Sequence, residues 1–115
     1  MHALSLLAIL LPLVKANLHI QCYCMTWNEQ QPWSQNTGLT EYVCVKQYPG
    51  VAQYDKVLKR CVNVTAGWVF NGQKWENQCK DASSHGYFPI VNGKADLSGP
   101  PATDAIAVGS CPNFD

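Results

Sequence analysis

Cys22 and Cys24 stand one residue apart in a stretch whose alternate positions are apolar, and four more cysteines follow at 44, 61, 79 and 111. Residues 18–26 place Leu18, Ile20, Cys22, Cys24 and Thr26 on one side and His19, Gln21, Tyr23 and Met25 on the other, which is the period-two pattern of a strand. Two side chains on the same strand face, two residues apart, are separated by roughly 6 to 7 Å, whereas a disulfide brings its Cβ atoms to about 3.8 Å. Cys22 and Cys24 are therefore expected to share a face, not to bond to each other, and to require two different partners.

The compartment expected for such a scaffold follows from the start of the chain. Residues 1–16, MHALSLLAILLPLVKA, have a short polar start, an apolar run from Leu4 to Val14 and a small residue at the end. This is the pattern of a secretory signal peptide cleaved after Ala16. The apolar run is well short of the roughly 20 residues that a membrane span needs. Residues 17–115 are then expected to form one secreted domain without a membrane anchor. A domain of this size buries only about two thirds of its unfolded surface, and an even cysteine count in a short secreted chain reads as three disulfides.

Once Lys15 leaves with the leader, seven Lys or Arg residues face eight Asp or Glu residues, a formal charge near −1. That balance argues against a nucleic-acid partner held by a basic surface. The longest basic run is Lys59-Arg60, too short to draw the chain to an anionic membrane. The pair also matches a dibasic processing site, which its expected place within a strand would keep uncut.

Along the chain, the polar loop NEQQPWSQNTG leads into LTEYVCVKQY, which Pro49-Gly50 ends. Asn36 or Thr37 can cap a helix there, while Val43, Val45 and the tyrosines favour a strand. We read it as a helix with Leu39, Tyr42 and Val43 inward and Cys44 at the stripe's edge. Residues 56–65 alternate as a second strand. In Phe70-Asn71-Gly72-Gln73-Lys74-Trp75, Asn71 caps a helix and Phe70 staples onto Trp75, or Asn71-Gly72 turns a hairpin. The polar residues Glu76-Asn77-Gln78 and Lys80-Asp81 favour the helix. A short edge strand is expected at YFPIV, confined to an edge by Pro89, and a last buried strand at 105–111. The fold class is α+β: a small, disulfide-stapled antiparallel sheet with two helices packed on one face.

Facing helices are the natural partners of strand cysteines that look toward them. We therefore expect Cys22 and Cys24 to bond with Cys44 and Cys79, leaving Cys61 with Cys111.

The spacing resembles a pattern common among small secreted cysteine-rich proteins of filamentous fungi, many of them candidate effectors of plant-associated species. The carrying features are Cys22-x-Cys24 on an early strand, a threonine-led segment holding Cys44, Tyr54 seven residues before Cys61, Phe70-Asn71-Gly72-x-x-Trp75-x-x-x-Cys79, and the closing Gly109-Ser110-Cys111. Some such proteins resemble the KP6 killer-toxin fold, a small α/β sandwich with helices on one face of an antiparallel sheet. The resemblance implies a virulence-related binding protein whose partner is a host protein, or alternatively an antimicrobial or killer-type toxin.

Chemistry beyond binding finds little support in the residues. A zinc or redox site needs CxxC spacing or a Cys/His cluster, and no CxxC occurs. Glu41, Asp55, Glu76 and Asp81 are scattered, and His85 has no evident orienting partner in its Ser-Ser-His-Gly loop, so no catalytic residue, metal or cofactor is expected. Trp27 and Trp33 border the polar first loop. Exposed, they would stack on sugar rings of a cell-wall polysaccharide or anchor a protein; the alternative reading places Trp27 in the core with Trp33 as its cover. Asn63-Val64-Thr65 is an N-glycosylation sequon, whose Asn63 shares its strand face with Cys61. A monomer is expected.

Overall fold

The computed structural model describes residues 19–112. The leader expected over residues 1–16, its cleavage after Ala16 and the first residue of the expected strand, Leu18, lie outside them. The elements run β1 (Gln21–Trp27), β2 (Ser34–Gln35), α1 (Thr37–Gln47), β3 (Ala52–Asp55), β4 (Arg60–Asn63), α2 (Gly72–His85), β5 (Ile90–Val91), β6 (Lys94–Ala95) and β7 (Ile106–Ser110). The molecule is α+β: the described residues form a five-stranded antiparallel sheet, a separate β5–β6 hairpin and two helices.

Strand β1 is the centre of the sheet. It pairs with β7 along Tyr23 to Trp27, while its other edge is shared by β4, opposite Gln21 and Cys22, and β2, opposite Met25 and Thr26. Strand β3 extends the sheet beyond β4. The alternation expected on β1 holds: Cys22, Cys24 and Thr26 are buried and the residues between them are not.

Both helices begin as the capping residues dictate. The Asn36 side chain accepts from the Leu39 amide at 2.9 Å, and Asn71 accepts from the Lys74 amide at 3.0 Å, each satisfying a donor that the first turn leaves free. Helix α1 buries Leu39, Thr40, Val43 and Cys44. In α2 the staple forms, with the Phe70 and Trp75 rings 5.7 Å apart. Tyr48 and Trp68 join them in one aromatic cluster, and Trp75 itself is fully buried.

The disulfides are Cys22–Cys111, Cys24–Cys79 and Cys44–Cys61. Cys24 and Cys79 bond as strand to helix, as expected, and Cys22 and Cys24 take separate partners. The expected Cys61–Cys111 bond and the expected tie from this strand pair to Cys44 do not form. The reason is strand order. Cys22 sits with Cys61 beside it in register on β4 and Cys111, just past β7, on the other edge. That leaves Cys22 between the two, so Cys111 bonds to Cys22 across one edge and Cys61 turns to Cys44 on α1.

A second correction concerns the strand expected over 56–65. Asp55 Oδ1 accepts from the amides of Val57 and Leu58 at 2.8 and 2.9 Å, and Lys59 adopts φ 59°. Residues 56–59 therefore form a turn between β3 and β4, and the strand is limited to Arg60–Asn63. The edge strand near YFPIV is Ile90–Val91, which Asn92 and Gly93, both at positive φ, fold back onto Lys94–Ala95.

Candidate functional site

The sheet has two unlike faces. All three disulfides and both helices lie on the face of Cys22, Cys24 and Thr26. On β1 the opposite face consists of Gln21, Tyr23, Met25 and Trp27, each only half-buried. Antiparallel partners share a face, so register extends this surface outward. Tyr23 pairs with Ser110, Met25 with Val108 and with Gln35, and Trp27 with Ile106. On the other side Gln21 pairs with Val62, and Val62 with Gln53. Tyr23, Met25, Trp27, Ile106 and Val108 thus form an apolar and aromatic strip across the middle of the face, with Ile106 45% exposed.

One end of the strip is polar. The Arg60 guanidinium lies 4.7 Å from the centroid of the Tyr23 ring and donates to Gln21 Oε1 at 2.8 Å. The cation is thereby held over an aromatic face, a geometry that fixes its donors. At the other end stands Trp27, and Trp33, 47% exposed, immediately precedes the Ser34 that pairs with Thr26. The structure thus places both candidate tryptophans at one end of the sheet. Trp27 belongs to the outward face of β1 rather than to the core, because its parity on β1 is opposite to that of Cys24 and Thr26.

Tyr23, Met25, Ile106 and Val108 were not singled out by sequence reasoning. The signal was there for two of them, since Tyr23 and Met25 occupy the alternate positions of β1. Ile106 and Val108 join only when β7 is known to lie beside β1.

Two other clusters bring polar groups together. Asp81, Ser84 and His85 meet at the end of α2, where His85 Nδ1 lies 3.0 Å from Asp81 Oδ1 and 3.2 Å from Ser84 Oγ. A nucleophile relay needs the carboxylate and the hydroxyl on different ring nitrogens. Here both contacts fall on Nδ1, and the His85 and Asp81 side chains are 78% and 74% exposed. Among the described residues no group of three His, Cys, Asp or Glu side chains could hold a metal ion.

The second cluster ties the N-terminus of α1 to the segment before β7. Tyr87 donates to Asp104 Oδ2 at 2.6 Å, and Asn36 Nδ2 donates to the Tyr87 hydroxyl at 2.9 Å and to Thr26 Oγ1 at 3.2 Å. Burial, and then the bond to Asp104, push the Tyr87 hydroxyl up to about 12, with Asn36 opposing. The phenol thus holds its proton at neutral pH and acts as a donor clamp.

Asn63 is half-buried on the Cys61 face of β4, and both ends of its amide are occupied. Oδ1 accepts from the Thr65 amide at 2.6 Å, and Nδ2 donates to the Trp68 carbonyl. The sequon side chain thus holds the loop that follows β4.

No protein-family profile matches the chain, and no curated protein or solved structure shows significant similarity to it. Among the described residues no helix is long and apolar enough to cross a membrane.

Proposed function

We propose that this chain is a secreted, disulfide-stapled binding protein of the effector type, and that it holds an extracellular or host protein on the sheet face opposite Cys22, Cys24 and Thr26. One observation carries the reading: Tyr23, Met25, Trp27, Ile106 and Val108 line up in register on the face opposite every disulfide and both helices. Three disulfides fit an oxidising compartment. The resemblance of the cysteine pattern to small secreted fungal proteins supports the class of biology. A mixture of aliphatic side chains, aromatic rings and an arginine held over tyrosine is the composition that protein partners anchor on.

The test is affinity capture from host extracellular fluid with the oxidised protein, beside Met25→Glu and Val108→Glu. A partner retained by the wild type and lost by both variants, at unchanged unfolding midpoints, supports the reading. Equal capture by all three removes it. Native alkylation should find no free thiol.

A second reading, binding of a cell-wall polysaccharide, draws on the exposure of Trp33 at the same end as Trp27. Retention on chitin, cellulose or glucan that Trp33→Ala abolishes would select it over the first.

A further inference from the structure

The disulfides are nested. Cys22, Cys24 and Cys44 all precede residue 45, and their partners Cys111, Cys79 and Cys61 all follow residue 60. Every one of the three therefore bridges segment 45–60. A chain cut anywhere within that segment would remain two pieces joined by three covalent links.

The β3–β4 turn lies inside it. Lys56, Val57, Leu58 and Lys59 are all exposed, Val57 to 89% and Leu58 to 53%. No side chain of the turn packs into the core; its shape is set by Asp55, whose side chain holds the amides of Val57 and Leu58 and whose carbonyl accepts from Lys59 at 2.7 Å. Exposed loop tips are where a protease can draw the chain into the extended form it cuts.

We propose that this turn is a processing site for a lysine-directed extracellular endoprotease, and that cleavage after Lys56 or Lys59 yields a two-chain molecule held in the same fold by all three disulfides. The reaction hydrolyses one amide bond. One water is consumed, a carboxylate forms on the lysine and an amino group on Val57 or Arg60, and no disulfide opens.

The other lysines offer less. Lys46 lies in α1 and Lys74 and Lys80 lie in α2, where helical hydrogen bonds hold the backbone, and Lys94 follows a tight two-residue turn. The two bonds of the Lys59-Arg60 pair also differ. Cutting after Arg60 requires Cys61, which is fully buried, disulfide-bonded and in register with both Tyr54 and Cys22. A protease specific for the bond after paired basic residues is therefore shut out of the folded chain, while one that accepts a single lysine is not.

The experiment treats the oxidised chain with a lysine-specific endoprotease and, separately, with a dibasic-specific one. The expected result from the first is a single nick: the mass rises by one water without reduction, reduction releases two fragments that meet after residue 56 or 59, and the circular dichroism is unchanged. Lys56→Gln/Lys59→Gln abolishes the early nick, so the variant stays intact at protease levels that fully nick the wild type. The dibasic protease leaves the wild type intact. A first cut at Lys46, Lys74, Lys80 or Lys94 overturns the proposal. So does a turn that survives protease levels that digest the reduced chain, loss of structure on nicking, or cleavage after Arg60 in the folded protein.

Discussion

Gly109 and Trp75 compete for one space: a Cβ built on Gly109 would stand 2.7 Å from Trp75 Cδ1 and 2.6 Å from the Cα of Glu76. Helix α2 lies against β7 at this point, where the Gly109 amide donates to Glu76 Oε2 at 3.2 Å and the Trp75 indole donates to the Tyr23 carbonyl at 2.9 Å. The absent side chain lets the helix backbone approach the strand. Gly109→Ala must push back helix backbone as well as a ring, and we expect it to destabilise the fold by about 2 to 3 kcal/mol. Urea unfolding followed by tryptophan fluorescence reads the change, and a midpoint equal to wild type would mean that the contact is looser than the structure has it.

The nested disulfides predict near-equal costs of removal. By sequence separation alone, Cys22–Cys111 at 89 residues should contribute more than Cys44–Cys61 at 17. With Cys24–Cys79 intact, however, the shorter path through that bond means that Cys22–Cys111 closes a loop of only roughly 34 residues. The entropy of closure grows slowly with length, so the two double Cys→Ala variants should differ by less than about 1 kcal/mol, each losing about 2 to 4 kcal/mol. Thermal unfolding of both variants beside wild type checks this. A difference well above that bound would show that the bonds do not shorten one another's loops.

Parity along one strand is local information, and it makes the shared face of Cys22 and Cys24 legible from the residues alone. The caps at Asn36 and Asn71 are equally local, because each side chain answers the amide three residues on. What the sequence concealed was adjacency. Whether Cys111 or Cys61 meets Cys22 depends on which strand lies on which edge of β1, a non-local choice without a residue signature. The same choice brings Ile106 and Val108 beside Trp27 and Met25. The β3–β4 turn was hidden for a different reason: a lysine at positive φ carries no mark in the sequence, and Val57 and Leu58 imitate a strand while pointing into solvent.

Alkaline pH should loosen the clamp between Tyr87 and Asp104. The folded phenol titrates at about 12, against an ordinary value of 10.0, so the native state keeps this proton where the unfolded chain has lost it. Its contribution is complete below pH 10 and is lost as pH rises through about 12, a fall that solvent around the half-exposed ring makes smaller than the full shift would give. Burial raises Tyr48 and Tyr54 as well, which adds to the fall in the same direction. Tyr87→Phe should be less stable at neutral pH by about 1 to 2 kcal/mol, with Asp104 deprived of its donor, and its stability should fall less steeply above pH 10. Urea midpoints from about pH 8 to about pH 12 test the slope; identical slopes would remove Tyr87 as the titrating group.

The sequon makes a prediction that opposes its usual reading. A glycan on Asn63 would be linked through Nδ2, the atom that donates to the Trp68 carbonyl while Oδ1 holds the Thr65 amide. Trp68 in turn packs edge-on against Tyr48 and Phe70, so the hydrogen bond anchors a loop that covers the aromatic cluster. A modified amide keeps one hydrogen, so the bond to the Trp68 carbonyl survives only where the sugar takes the other position on a half-buried nitrogen. With that nitrogen already engaged, we expect the folded protein to have the mass of the bare oxidised polypeptide. Asn63→Asp, which replaces the donor by a carboxylate facing that carbonyl, should lower stability by about 1 to 3 kcal/mol. Intact mass spectrometry of protein expressed in a glycosylating host decides the first point. A hexose ladder on Asn63 in stable, fully oxidised protein would show that the loop from Thr65 to Trp68 detaches without cost to the core.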